Sequence, residues 1–108
     1  MPVDNGVEEI DGKEFSEIIG NKVALVDFFA EWCMPCITMS PMIEILAKKI
    51  KKVKFAKVNI DENSALAAKF KVMSIPTFII FKDGKEAERM IGSQAPIVIE
   101  EKLKKYLK

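Results

Sequence analysis

Val23-Ala24-Leu25-Val26-Asp27-Phe28-Phe29-Ala30-Glu31-Trp32-Cys33-Met34-Pro35-Cys36 joins a buried-looking strand to a pair of cysteines spaced by two residues. Residues 23–29 do not alternate between apolar and polar. A continuous apolar run of this length suits a central strand covered on both faces. Only Asp27 interrupts it. Beyond the cysteines, Met39, Ile43, Leu46, Ala47 and Ile50 recur at three and four, the spacing of an amphipathic helix that runs to about Lys51. Pro41 lies inside that helix and is expected to kink it.

Working outward, Val7 to Ile10 is a short strand candidate. Asp11 and Glu14 form a capping-box pattern for a helix carrying Phe15, Ile18 and Ile19, which stops at Gly20-Asn21. Val53 to Ile60 is a second buried strand. Asn63 is placed to cap a short helix with Leu66, Ala67 and Phe70. Thr77 to Phe81 and Glu86 to Ile91 flank the hairpin signal Asp83-Gly84. Ser93 is placed to cap a last helix with Ile97, Val98, Leu103 and Leu107. The order β-α-β-α-β-α-β-β-α implies an α/β fold: parallel pairing through the alternating elements, an antiparallel closing hairpin, and a mixed sheet with helices on both faces.

The chain has 108 residues, which suits a single domain over residues 1–108 with one core. The formal net charge is +1, with both signs interleaved, and no basic arm or aromatic-basic platform points to nucleic acid. No apolar run reaches the roughly 18 to 20 residues of a membrane span. Residues 1–6 lack the basic and apolar regions of a signal peptide, so the expectation is a cytoplasmic protein with no membrane partner. There is no histidine, so proton transfer falls to carboxylates, lysines, Tyr106 or the cysteines. Two cysteines cannot complete a four-ligand thiolate or thiolate–imidazole zinc site within one chain. No metal or other cofactor is expected.

Cys-X-X-Cys between a buried strand and a helix start is a redox pattern with a physical basis. Unpaired N–H groups and the helix dipole at that end favour a thiolate at Cys33. Cys36 lies one turn along, its Cα about 5 to 6 Å away, within disulfide range. A thiol–disulfide oxidoreductase follows: Cys33 attacks a substrate disulfide, and Cys36 resolves the mixed disulfide and leaves Cys33–Cys36 oxidised. This division rests on Cys33 being nearer solvent and Cys36 pointing inward. Asp27, a carboxylate in a buried strand, should hold its proton more tightly than usual, and is a candidate base for Cys36, directly or through water.

Phe28-Phe29-Ala30-Glu31-Trp32-Cys33-Met34-Pro35-Cys36 is similar to the active-site segment of the thioredoxin family. Ile75-Pro76-Thr77-Phe78 resembles that family's cis-proline loop, and Phe81-Lys82-Asp83-Gly84 and Gly92 match its hairpin and substrate-groove glycine. The resemblance runs along nearly the whole chain and implies the thioredoxin fold, protein-disulfide reductase activity, disulfide-containing substrate proteins and a thioredoxin-reductase-type electron donor. A monomer is expected. The match places Lys57 near Asp27, where its charge favours the carboxylate, although a lysine there can also run its stem along the sheet to the surface. It makes the Ile75–Pro76 bond cis, with the Ile75 backbone open to a substrate strand. Trp32, Met34, Pro35, Met73, Ile75 and Gly92 would then form an apolar contact patch around Cys33. Two positions depart from the pattern: Met34 stands where the family usually has Gly, and Ile37 where it often has a basic residue.

Three other readings use the same residues. One is glutaredoxin-like or isomerase-type exchange. Another is a non-catalytic binding module on the same fold. The third is soft-metal capture by the thiols and nearby methionines, which would need a second chain.

Overall fold

The computed structural model describes residues 6–108. Most of the stretch read against a signal peptide, residues 1–5, lies outside the described residues. The elements are β1 (Val7–Glu9), α1 (Gly12–Ile19), β2 (Val23–Phe29), α2 (Met34–Lys49), β3 (Lys54–Asn59), α3 (Ser64–Lys69), β4 (Thr77–Lys82), β5 (Lys85–Ile91) and α4 (Pro96–Tyr106). This is the expected order. They build one five-stranded sheet in the order β1-β3-β2-β4-β5.

β2 is the central strand, buried from Val23 to Phe28. Its side chains alternate between the two faces, because successive residues of a strand point to opposite sides. Val23 and Leu25 pack with Met39, Ile43 and Leu46 of α2 and Ile99 and Leu103 of α4. Ala24, Val26 and Phe28 pack with Phe15 and Ile18 of α1 on the other face. Phe70, just past α3, joins that second face, its ring centroid 5.1 Å from Phe15, 6.4 Å from Phe28 and 5.6 Å from Phe81.

One pairing differs from expectation. β1 and β2 both run parallel to β3, but β4 runs antiparallel to β2, with Thr77 opposite Phe28 and Val23 opposite Lys82. Strand–helix alternation therefore does not bring β4 round as a parallel strand. α3 has six residues, about 9 Å of helix, too little to cross back over a strand of about 20 Å. The chain stays at the C-terminal end of the sheet and enters β4 from there. As a result, the start of β4 sits beside the end of β2, next to the cysteines. The β4–β5 hairpin is antiparallel as read, with positive φ at both Asp83 and Gly84.

The capping box is present: Asp11 accepts from the backbone N–H of Lys13 and Glu14, and the Glu14 carboxylate accepts from the N–H of Asp11. Two other expected caps are not. Asn63 flanks α3 but its side chain makes no cap bond; its amide donates to the Asn59 carbonyl. Ser93 does not cap α4. That helix starts later, behind Ala95, with Pro96 in its first turn, where a missing N–H costs nothing. α2 runs from Met34 to Lys49 through Pro41.

Candidate functional site

Cys33 is the N-cap of α2, and Cys36 lies in its first turn. Pro35 also lies there, where proline's fixed φ favours the helix. The backbone N–H of Cys36 donates to Cys33 Sγ at 3.2 Å, and the Ile37 N–H donates to the Cys33 carbonyl at 3.1 Å. The two sulfurs are joined as a disulfide, with Cα atoms 5.2 Å apart. An amide donor aimed at Cys33 Sγ also favours negative charge there when the bond is open.

Exposure does not separate the two cysteines. Cys33 is 5 % and Cys36 4 % exposed, so the expected contrast between an outer and an inner thiol is absent. Phe29, Ile60 and Ile75 pack against the cluster that the two cysteines form with Ala30. The difference lies in their neighbours. Cys36, not Cys33, lines a cavity of about 420 Å³ that also reaches Asp27, Lys57, Glu9, Ile37, Ser40 and Pro41.

Asp27 shares a face of β2 with Val23 and Leu25, the face covered by α2. It is buried, and Oδ1 finds no hydrogen-bond donor among the described residues. Burial pushes its carboxyl up to about 7, and the nearby Lys57 charge opposes part of that rise. Lys57 is the register partner of Asp27 on β3, as the resemblance implied. It is half-buried, and its ammonium lies 5.3 Å from the centroid of the Phe29 ring. Glu9 is in turn the register partner of Lys57 on β1. The three charges therefore form a row across the sheet at the cavity.

The Ile75–Pro76 peptide bond is cis. The Pro76 carbonyl accepts from the N–H of Gly92 at 2.8 Å, and Thr77 Oγ1 donates to the Ser74 carbonyl at 2.6 Å. Gly92 has φ +85°, a region open to glycine and strained for other residues. Around the disulfide, Trp32 is 68 %, Met34 67 % and Met73 90 % exposed, with Pro35, Ile37 and Ile91 exposed as well. Together they form an apolar patch. Of the residues expected there, Trp32, Met34, Pro35 and Met73 are exposed while Ile75 and Gly92 are half-buried, and Ile37 and Ile91 are exposed beside them.

Asp61 was not singled out from the sequence. Its carboxylate accepts the Trp32 indole N–H at 2.8 Å and holds the ring in place. Chain order carries the signal: β3 is parallel to β2, so the residues after both strands emerge at the same end of the sheet.

The thioredoxin family profile matches residues 6–107. The chain belongs to the thioredoxin family. The thioredoxin of Chlamydia pneumoniae is 48 % identical over 86 residues, covering 80 % of this chain and 84 % of its own. That of Staphylococcus haemolyticus is 42 % identical over 102 residues, covering 94 % and 98 %. Among solved structures, a mutant thioredoxin from Halobacterium salinarum NRC-1 superposes with TM-score 0.92 at 31 % identity, covering all of this chain and 96 % of that one. A yeast structure, from work on thiol resolution in a mitochondrial 1-Cys peroxiredoxin via the glutathione and thioredoxin systems, gives TM-score 0.85 at 31 % identity, covering 92 % and 94 %. The thioredoxin fold and the disulfide-forming pair make this protein a thiol–disulfide oxidoreductase with protein-disulfide reductase activity. No group of three or more His, Cys, Asp or Glu side chains is placed to hold a metal among the described residues, and no helix among them is long and apolar enough to cross a membrane.

Proposed function

We propose that Cys33 is the attacking thiol, Cys36 the resolving thiol, and Asp27 the proton acceptor that serves Cys36 through the cavity they share. The observation that carries this division is the cavity itself, which Asp27 and Cys36 line and Cys33 does not. Cys33 thiolate attacks one sulfur of a substrate disulfide, and the other sulfur leaves as a thiolate and takes up a proton. The Cys36 thiol then passes its proton to Asp27 through water in the cavity, which is roomy enough for it and carries Glu9, Ser40 and Lys57 in its lining. Cys36 attacks Cys33 Sγ, the bond from Cys33 to the substrate breaks, and the second substrate thiolate leaves. Two electrons have moved to the substrate, and Cys33–Cys36 is oxidised.

Lys57 keeps Asp27 from being held fully protonated, so the carboxyl can both take and return a proton near neutral pH. Trp32, Met34, Pro35, Ile75, Pro76 and Gly92 form the substrate-binding surface, with the Ile75 backbone available to pair with an extended segment. The partners are disulfide-containing proteins and a thioredoxin-reductase-type electron donor. The yeast relative's connection with a 1-Cys peroxiredoxin supports peroxide-metabolising proteins among them. The working unit is one domain over residues 1–108, a cytoplasmic monomer with no cofactor beyond its own disulfide.

Trapping tests the division of labour. Incubated with insulin, Cys36→Ser should accumulate a mixed disulfide at Cys33, and Cys33→Ser should accumulate none; intact mass spectrometry reads both. Trapping at Cys36 in Cys33→Ser would reverse the assignment.

A further inference from the structure

The chain's single arginine lies on β5, away from the cysteines. Arg89 Nε and Nη2 grip the Glu86 carboxylate at 2.8 and 2.9 Å. The same guanidinium donates from Nη2 to the Phe70 carbonyl at 2.7 Å and from Nη1 to the Lys71 carbonyl at 3.4 Å. Those two carbonyls belong to the turn that ends α3.

That turn is a demanding one. The Lys71 N–H donates to the Ala68 carbonyl and the Val72 N–H to the Ala67 carbonyl, a helix-ending pattern that needs a left-handed residue at position 71. Lys71 has φ +54°, where glycine is favoured and a side chain is strained. The conformation persists only where its surroundings enforce it. On one side the Phe70 ring is fixed among Phe15, Phe28 and Phe81. On the other, the planar fork of Arg89 holds the two carbonyls, a geometry that a lysine ammonium cannot reproduce.

The segment leaving this turn is Val72 to Pro76, which carries exposed Met73 and the Ile75 backbone. β5 and the residue that follows it hold both of its ends, Arg89 at Phe70 and Lys71 and the Gly92 N–H at the Pro76 carbonyl. We propose that Arg89, through the strained Lys71 turn, is a positioning residue for the 72–76 substrate-binding loop. It touches neither substrate nor sulfur. The inference rests on the reading of Ile75 and Pro76 as substrate contacts.

Arg89→Lys keeps the charge and removes the fork. With dithiothreitol as reductant, the variant should raise KM for insulin about fivefold and leave kcat within about twofold. Its reaction with the small aromatic disulfide dithiobis(nitrobenzoate), which needs no extended pairing, should be unchanged. Adding Lys71→Gly lets the turn hold its conformation unaided and should return KM to within about twofold of the parent. An unchanged KM in Arg89→Lys, equal losses on both disulfides, or no recovery in the double variant would overturn the inference. If the parent protein reduces dithiobis(nitrobenzoate) but not insulin, the reading of the loop as a substrate site fails instead.

Discussion

Asp27 and Glu88 are carboxylates on strands of the same sheet, and the fold treats them in opposite ways. Glu88, on β5, accepts from Lys105 Nζ at 2.9 Å and the Tyr106 hydroxyl at 2.8 Å, and pairs with Lys102 as well. These donors hold its carboxyl down at about 2. Asp27 is more deeply buried, has an oxygen with no donor, and is pushed up to about 7. The first arrangement ties α4 to the edge of the sheet. The second lowers stability at neutral pH and leaves a group that changes protonation state where a cell operates. A buried carboxylate with one oxygen lacking a donor, opening on a cavity that a cysteine also lines, is the arrangement on which the proposed proton transfer rests.

The largest expected effect breaks the Asp27 side of this contrast. A carboxyl raised from 3.8 to about 7 makes the folded state less stable by about 4 kcal/mol once it ionises. The unfolded chain gives up its proton near pH 4 and the folded chain only near 7. Stability should therefore fall across that window as pH rises, then level off. Asp27→Asn removes the penalty but buries an amide, so denaturant unfolding at pH 8 should show a gain of about 3 kcal/mol. The gain should vanish near pH 4.

Next is Lys57→Met, which removes the charge that opposes the rise at Asp27. The carboxyl should titrate about one unit higher, seen as a shifted carboxyl carbon resonance. An unmoved titration would detach Lys57 from the site. Smaller still, Glu88→Gln should cost about 1 kcal/mol at neutral pH, since the cluster lies at the surface, with Lys105 exposed and Lys102 only half-buried. It should leave insulin reduction unchanged. The wild-type share of this stability is present above about pH 4.5 and lost as pH falls toward 2. The least effect is that of salt: raising it from 0.05 to about 0.5 M should shrink the Glu88 difference and leave the Asp27 difference nearly unchanged.

The sequence foretold the two halves of the site unequally. The run from Val23 to Cys36 reads directly, because a two-sided buried strand, a helix start and a CxxC pair are all local patterns. The perturbation of Asp27 reads from its apolar neighbours alone. The antiparallel entry of β4 does not, because it depends on the six-residue length of α3 and the end of the sheet to which the chain returns. The near-equal burial of Cys33 and Cys36 is equally out of reach, since it depends on residues outside the motif, Ile60 and Ile75 among them, packing against their cluster. Asn63 and Ser93 are good capping residue types, yet the helices use Asn63 differently and bypass Ser93. Arg89 reads as an ordinary strand charge until α3 is packed beside it.

The central claim is that Asp27 takes the proton of Cys36 while Cys33 attacks without help from Asp27. Stopped-flow kinetics with insulin, from pH 5 to 9, separates formation of the mixed disulfide from its resolution. The account predicts that resolution in the wild type rises through an inflection near pH 7. Asp27→Asn should lose that inflection and resolve about 100-fold more slowly, with the first attack little changed. Superimposable resolution profiles for the two proteins would contradict it.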